Sequence, residues 1–261
     1  MIKDQKSVRG GIQDFLCPFT DMYITQGSNS NYSHKGIMAN DVRGLQPGVR
    51  YPYYAPCDMV CKAVYKESGQ SMWQSVNKVR FANGKINYAT VMVAHSDSQD
   101  CYVGQRISQG DQWDNMGTKG HATGVHCHIQ TEQGNDTAWY KNKYGVYQFN
   151  NEVDLDDMYF VDNTNIIYGM GGSWKHLTDV PVSTDKYINI PPTIEERNIY
   201  DKNKKQFATI KPKKFGGLSY KIYSRDGEFV EIQTVDYGRC YVKATDKTPI
   251  TDTPTYEHGN Y

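Results

Sequence analysis

The segment best suited to chemistry runs from Gly117 to Gln130 and centres on His126 and His128. In a β-strand, residues i and i+2 point to the same face, so this spacing sets two imidazoles side by side and turns Cys127 to the other face. Two upstream stretches carry compatible groups. Ser33-His34-Lys35-Gly36-Ile37-Met38-Ala39-Asn40-Asp41 holds a His and an Asp within one loop, and Val91-Met92-Val93-Ala94-His95-Ser96 ends an apolar strand in a His. His34, Asp41 and His128 together make a set of three nitrogen and oxygen ligands without a thiolate. Three protein ligands leave the fourth tetrahedral position open for water, the pattern of catalytic rather than structural zinc. His95 and His126 are then left over, and a zinc hydrolase needs such groups to move protons and to hold a developing oxyanion.

Strands and turns must position these groups, because regular helical periodicity is scarce. Short alternating runs such as Ala55–Tyr65, Asn87–His95, His126–Glu132 and Phe229–Val235 read as strands of antiparallel sheets, punctuated by Gly, Asn, Asp and Pro. The fold class is therefore mainly β, with few helices; one helical turn is expected over Thr193–Arg197. A boundary falls near residue 170, where Tyr168-Gly169-Met170-Gly171-Gly172-Ser173 is followed by Pro181 and the pair Pro191-Pro192. The expected organisation is a first domain over 1–170, a linker over 171–186 and a second domain over 187–261. In the second, the runs Phe207–Ile210, Leu218–Tyr223, Phe229–Val235 and Cys240–Ala244, with turns at Gly216-Gly217, Asp226-Gly227 and Asp236–Gly238, suggest a small barrel.

Composition narrows the function classes. The chain has 261 residues, with 29 Lys plus Arg against 29 Asp plus Glu, so the net charge is zero and the basic footprint of a nucleic-acid binder is missing. Hydrophobic residues make up only 38%, but 21 tyrosines supply rings that can pack strands or line wet grooves. The six cysteines are too sparse for a disulfide scaffold, and Cys57 and Cys61 have no second pair at zinc-ribbon spacing, so they read as small buried hydrophobes. No run approaches the ~18–20 apolar residues needed to cross a bilayer, so no membrane partner is expected. Met1–Lys6 has charges but no apolar core behind them, which is not a secretory signal.

The order H-x-G…D, then an apolar strand ending in His, then T-G-x-H-x-H resembles the lysostaphin-type zinc endopeptidases that cut peptidoglycan peptides. The matching residues are His34, Gly36 and Asp41; Tyr54-Ala55-Pro56-Cys57-Asp58-Met59-Val60, similar to the family's A-P-x-G-x-V strand; Ala94-His95; and Gly117 through His128. The resemblance covers about Gly27 to Gln130. It implies that His34, Asp41 and His128 bind one zinc per chain and that His95 and His126 are the catalytic pair, with Tyr32 a further candidate beside His34. The sequence departs from the family in three places. Six residues, rather than three, separate His34 from Asp41, which requires a bulged loop and leaves Asp58 and Asp97 as fallback carboxylates. Cys127 replaces the usual aliphatic residue within H-x-H. Asn77–Asn87 and Ser96–Gln105 are longer than a minimal core needs and are expected to line the substrate groove.

The region Tyr187–Tyr261 resembles the bacterial SH3-like barrels that anchor wall-lytic enzymes, through Asn198–Asp201, Phe215–Ile222 and Tyr237–Val242. The whole arrangement resembles a phage endolysin. That resemblance implies hydrolysis of stem-peptide or cross-bridge bonds in Gram-positive peptidoglycan. It also implies residence in the host cytoplasm until holin-dependent release, and a cell-wall ligand for the second domain. Tyr220, Tyr223, Tyr237 and Tyr241 are the expected ring-lined wall-binding surface. The alternative is a non-catalytic wall-binding or virion structural protein on the same fold.

Overall fold

The computed structural model describes residues 1–180 and 186–260, so the part of the expected linker at 181–185 lies outside the described residues. The chain is predominantly β and divides into two units, Met1–Pro181 and Val182–Tyr261. The first unit is built on an eight-stranded sheet with strands β1 (Asp21–Gln26), β2 (Ala39–Arg43), β3 (Met59–Tyr65), β4 (Gln70–Ser75), β5 (Ala89–Ala94), β6 (Arg106–Ile107), β7 (Cys127–Gln133) and β8 (Asn165–Tyr168). Their order across the sheet is β6-β3-β4-β5-β7-β2-β1-β8, and every neighbouring pair is antiparallel except β8 with β1. The strand positions read from alternation are present: β5 lies within Asn87–His95, and β7 starts at Cys127.

Alternation makes the two faces of this sheet different. Val91 and Val93 on β5, Cys127 and Ile129 on β7, and Val42 on β2 face one side and join the main core with Phe15, Trp73, Trp113 and Tyr159. Each fully buried aliphatic or aromatic side chain of this kind contributes about 1.5–3 kcal/mol. On the opposite side Met92 and Ala94 meet Met72 and Phe149 in a smaller cluster, and His128 and Asp41 share that side. Cys127 is fully buried in the main core, as strand alternation requires, so its thiol is turned away from the imidazoles.

The glycine-rich stretch after β8 is packed onto the first unit. Gly169 and Gly172 lie against the Trp174 indole, the Ser173 amide donates to Asp156 Oδ2 at 2.7 Å, and Arg9 Nη1 donates to the carbonyls of Leu177 and Val180. Added Cβ atoms at Gly169 and Gly172 would sit 2.4 and 2.8 Å from that indole, which accounts for these two glycines without invoking chain flexibility.

The second unit holds β9 (Lys186–Ile190), β10 (Arg197–Tyr200), β11 (Gln206–Ile210), β12 (Leu218–Ile222), β13 (Ser224–Asp226), β14 (Phe229–Thr234), β15 (Gly238–Lys243), β16 (Ile250–Thr251) and β17 (Gly259–Asn260). They form a four-stranded sheet, β16-β9-β12-β17, and a five-stranded sheet, β11-β10-β15-β14-β13. Ile188, Ile190, Ile199, Val230, Ile232 and Val242 fill its core. The helical turn expected over Thr193–Arg197 does not form. The Ile194 amide instead closes a turn on the Pro191 carbonyl at 3.0 Å, and Arg197 opens β10 in register with Ile210, which buries Ile199.

Candidate metal centre

Backbone register supplies two of the candidate ligands. Asp41 on β2 lies directly opposite His128 on β7, and His128 lies opposite Ala94 on β5, so the carboxylate, the imidazole and the residue before His95 form one row across three strands. Asp41 Oδ1 is 2.9 Å from His128 Nδ1. His34 arrives from the loop between β1 and β2. That loop is closed by the Asn29 amide on the Ile37 carbonyl at 2.8 Å, and Gly36 takes φ +72°, a conformation that favours glycine. His34 Nε2 then lies 3.2 Å from His128 Nδ1 and 3.3 Å from Asp41 Oδ1. The six-residue separation of His34 from Asp41 is absorbed by this loop and by a register shift between Ile24 and Gln26 on β1.

The outer nitrogens of the two rings fix where the inner lone pairs point. His34 Nδ1 lies 3.1 Å from the Gly27 carbonyl, which can only accept, so the proton sits there and Nε2 faces inward unprotonated. Gln130 donates its amide to the Tyr147 carbonyl at 3.0 Å and to Glu152 Oε1 at 2.7 Å, which turns its Oε1 toward His128 Nε2 at 3.4 Å. His128 therefore carries its proton on Nε2 and presents Nδ1 inward. Three lone-pair atoms, one on an ionised carboxylate, thus converge with no proton between them. Ligands about 2.0–2.2 Å from a tetrahedral metal lie about 3.3–3.6 Å apart. The observed 2.9–3.3 Å separations meet that requirement after a small expansion, so the residues fit a metal ion. Burial works to raise the Asp41 pKa, but His128 and His34, when they carry protons toward it, outweigh burial and hold the carboxyl well below the usual carboxylate range; a bound metal would take the place of those protons.

His126 and His95 flank this triad. His126 Nδ1 is 2.7 Å from the Gly124 carbonyl, and its Nε2 is 3.6 Å from Asp41 Oδ1. His95 Nδ1 is 2.8 Å from the Lys119 carbonyl, and the ring centres of His95 and His126 are 4.6 Å apart. Both rings thus spend their Nδ1 proton on the backbone and aim Nε2 as an acceptor. Burial lowers the His95 pKa to about 4, so this ring is neutral near pH 7. His95 is also held at φ +73°, a costly conformation for a non-glycine residue and one that clusters at functional sites. Gly117 makes the conformation possible: a Cβ there would sit 2.3 Å from the His95 carbonyl.

The four histidines and Asp41 line one side of a cleft of about 460 Å³. Trp139, Tyr147, Met92 and Ala94 also line it, as do exposed Tyr32 and His121. Asn77–Asn87 and Ser96–Gln105, expected to line the groove, contribute no lining residue. The first folds into a short pair, Val79–Arg80 with Ile86–Asn87, and the second lies along β3, where the Gly104 amide meets the Cys61 carbonyl. The fallback carboxylates are engaged elsewhere: Asp58 accepts from the Gln109 amide, and Asp97 from Arg50 and the Thr118 amide. Gln130 is the contributor that spacing did not single out, although its place two residues beyond His128 on the same strand face was a usable signal.

The four tyrosines expected to bind the wall, Tyr220, Tyr223, Tyr237 and Tyr241, do not form one exposed surface. Tyr220 is 6% exposed and belongs to the core. Arg239 covers the Tyr223 ring, and the Lys204 ammonium lies 3.2 Å above the Tyr241 ring. Tyr237 is exposed beside Phe207, on a separate cleft of about 480 Å³ that an edge of Tyr220 also lines. Alternation on β15 accounts for Tyr241, since Cys240 and Val242 point into the core and Tyr241 points away.

No protein-family model matches the chain. It is similar to Morphogenesis protein 1 of Bacillus phage B103, at 33% identity over 165 residues, which is 63% of this chain and 45% of the phage protein. The chain therefore spans less than half the length of that relative. Lysostaphin from Staphylococcus simulans matches at a TM-score of 0.32 and 12% identity, covering 88% of this chain and 95% of the other. A zinc-containing peptidase from Vibrio cholerae matches at a TM-score of 0.31 and 17% identity, covering 48% and 41%. At these TM-scores the structural likenesses do not assign a shared fold, and the case for function rests on the cleft itself.

Proposed function

We propose that the first unit is a zinc metallopeptidase that hydrolyses peptide bonds of Gram-positive peptidoglycan, and that the second is an SH3-like module that holds it to the wall, in a protein of the phage-lysis type. The observation that carries the reading is the convergence of His34 Nε2, Asp41 Oδ1 and His128 Nδ1 with both outer ring nitrogens already committed. A set of two imidazoles and one carboxylate without a thiolate, with room for water, suits catalytic zinc. The resemblance of His34, Asp41, His95 and Gly117–His128 to lysostaphin-type endopeptidases supplies the substrate class.

Bound zinc would supply Lewis acidity and a water acidic near neutral pH. The protein's own part is proton movement. His126 Nε2, unprotonated and beside Asp41, takes the proton of the attacking water and returns it to the leaving amine. His95, neutral and fixed through Nδ1 on Lys119, accepts a second hydrogen bond at Nε2 and orients the attacking oxygen. A hydrogen-bond donor role for His95 would need a protonated ring, which its burial opposes. Trp139 and Tyr147 offer flat walls against which an extended peptide can lie.

Incubating zinc-loaded protein with purified peptidoglycans of several cross-bridge types and identifying new amino termini by mass spectrometry tests this reading. A second reading, a component of phage particle assembly, is favoured by the name of the B103 relative. Detecting the chain in purified virions, rather than only in the lysate, would select it.

A further inference from the structure

Glu152 bonds to three segments that build the metal centre. It follows the pairing of Tyr140–Lys141 with Tyr147–Gln148, and backbone bonds on either side fix it beside β7. The Gln133 amide donates to the Asn151 carbonyl at 3.3 Å, and the Val153 amide to the Thr131 carbonyl at 3.0 Å. The half-buried Glu152 carboxylate then collects three donors. Its Oε2 accepts from the Met38 amide at 2.8 Å, at the end of the loop that delivers His34. Its Oε1 accepts from Gln130 Nε2 at 2.7 Å and from the Phe149 amide at 3.1 Å. Gln130 passes this order on, because with Nε2 spent on Glu152 and the Tyr147 carbonyl its Oε1 faces His128 Nε2 at 3.4 Å. Phe149 stacks on Trp139 with ring centres 5.9 Å apart, so the third donor belongs to the aromatic part of the cleft.

We propose that Glu152 is a positioning residue of the metal centre: it sets the Gln130 amide, and through it the His128 Nδ1 lone pair, while pinning the His34 loop at Met38. The inference rests on the reading of His34, Asp41 and His128 as metal ligands, and not on which substrate the cleft takes. Only a group that accepts at both atoms serves all three donors. Glu152→Gln keeps the shape but leaves one oxygen. With that oxygen toward Gln130 and Phe149, the new NH2 faces the Met38 amide, and the loop that carries His34 loses its tie. Turned over, the NH2 faces Gln130 and Phe149 instead. Gln130 is then free to rotate, the preference for a proton on His128 Nε2 is lost, and the proton can occupy Nδ1, where the metal would bind. Both arrangements end at a ligand.

Glu152→Gln and Gln130→Leu, made singly and together in the whole chain, should be titrated with zinc against a chromophoric chelator. Glu152→Gln should weaken zinc binding about 10-fold, the low end of the effect of losing a partner behind a ligating His. Once Gln130 is gone, the oxygen left by Glu152→Gln is free to serve Met38. The double variant should therefore bind zinc within about 3-fold of Gln130→Leu alone, whereas a carboxylate that acted only by its charge or by holding the fold would multiply the two losses. Long-range 1H–15N spectra of the metal-free protein give a second readout: His128 should carry its proton on Nε2 in the wild type and partly on Nδ1 in Glu152→Gln. If Glu152→Gln fails to fold, Glu152→Asp, which keeps both oxygens on a shorter stem, should show the same changes to a smaller extent. A wild-type protein that takes up no zinc would defeat the metal reading, and the metal-free spectra would still decide the role of Glu152. Unchanged zinc affinity with an unchanged His128 tautomer, or losses that multiply in the double variant, would overturn the proposal.

Discussion

Asp41 and His128 face each other across the antiparallel pair β2–β7, with Oδ1 2.9 Å from Nδ1. Sheet hydrogen bonds therefore set this half of the centre, and it does not depend on the loop that delivers His34. Asp41→Ala should abolish stoichiometric metal binding while leaving the circular dichroism spectrum unchanged, because Asp41 contributes nothing to the core. Elemental analysis after dialysis checks this. Retained metal would mean that another carboxylate serves as ligand.

Gln130 holds the His128 tautomer through its Oε1. Gln130→Leu removes that acceptor, and with it the preference for a proton on Nε2. Metal affinity should fall about 10–100-fold, the usual effect of losing a partner behind a ligating His. Competition titration with a chromophoric chelator reads this directly. Gln130→Glu, which keeps an acceptor oxygen, should recover part of the loss.

His126→Ala and His95→Ala should behave differently from ligand variants. Neither ring is a proposed ligand, so metal content should be retained, while kcat should fall about 10²–10⁴-fold, as for removal of a positioned acid or base. Loss of metal in His126→Ala would exchange the roles of the two members of the H-x-H pair.

The site was legible where strand period decides and hidden where loops do. His126, His128 and Cys127 could be placed from alternation alone, because a one-residue slip would have buried both rings. The helical turn expected at 193–197 does not form, because long-range pairing of Arg197 with Ile210 outweighs local propensity. Trp139 and Tyr147 reach the cleft from the segment between β7 and β8, which shows no period that could place them. The loops at 77–87 and 96–105 fold away from the cleft for a related reason: length marks a loop, but not the edge against which it folds.

Glu132 gives the fold a pH dependence. Its side chain is fully buried on β7, Oε2 has no partner among the described residues, and burial foremost pushes its pKa up to about 7 from 4.5. Below pH 4.5 the group is protonated in folded and unfolded chains alike and has no pH-dependent effect. Between 4.5 and 7 the unfolded chain releases the proton first, so stability declines, and above 7 the full penalty applies. Glu132→Gln should therefore stabilise the protein by about 1–3 kcal/mol at pH 8 and by little at pH 4.5. Chemical denaturation of both proteins at the two pH values tests the sign.

The proposed zinc held by His34, Asp41 and His128 would cut peptides of the cell wall. Mass spectrometry of purified Gram-positive peptidoglycan after incubation with the zinc-loaded protein tests it most directly. New amino termini are expected at one type of peptide bond, absent after chelation and absent with Asp41→Ala. A digest with no new amino termini from the zinc-loaded protein on any cross-bridge type, or one unchanged by chelator, would contradict it.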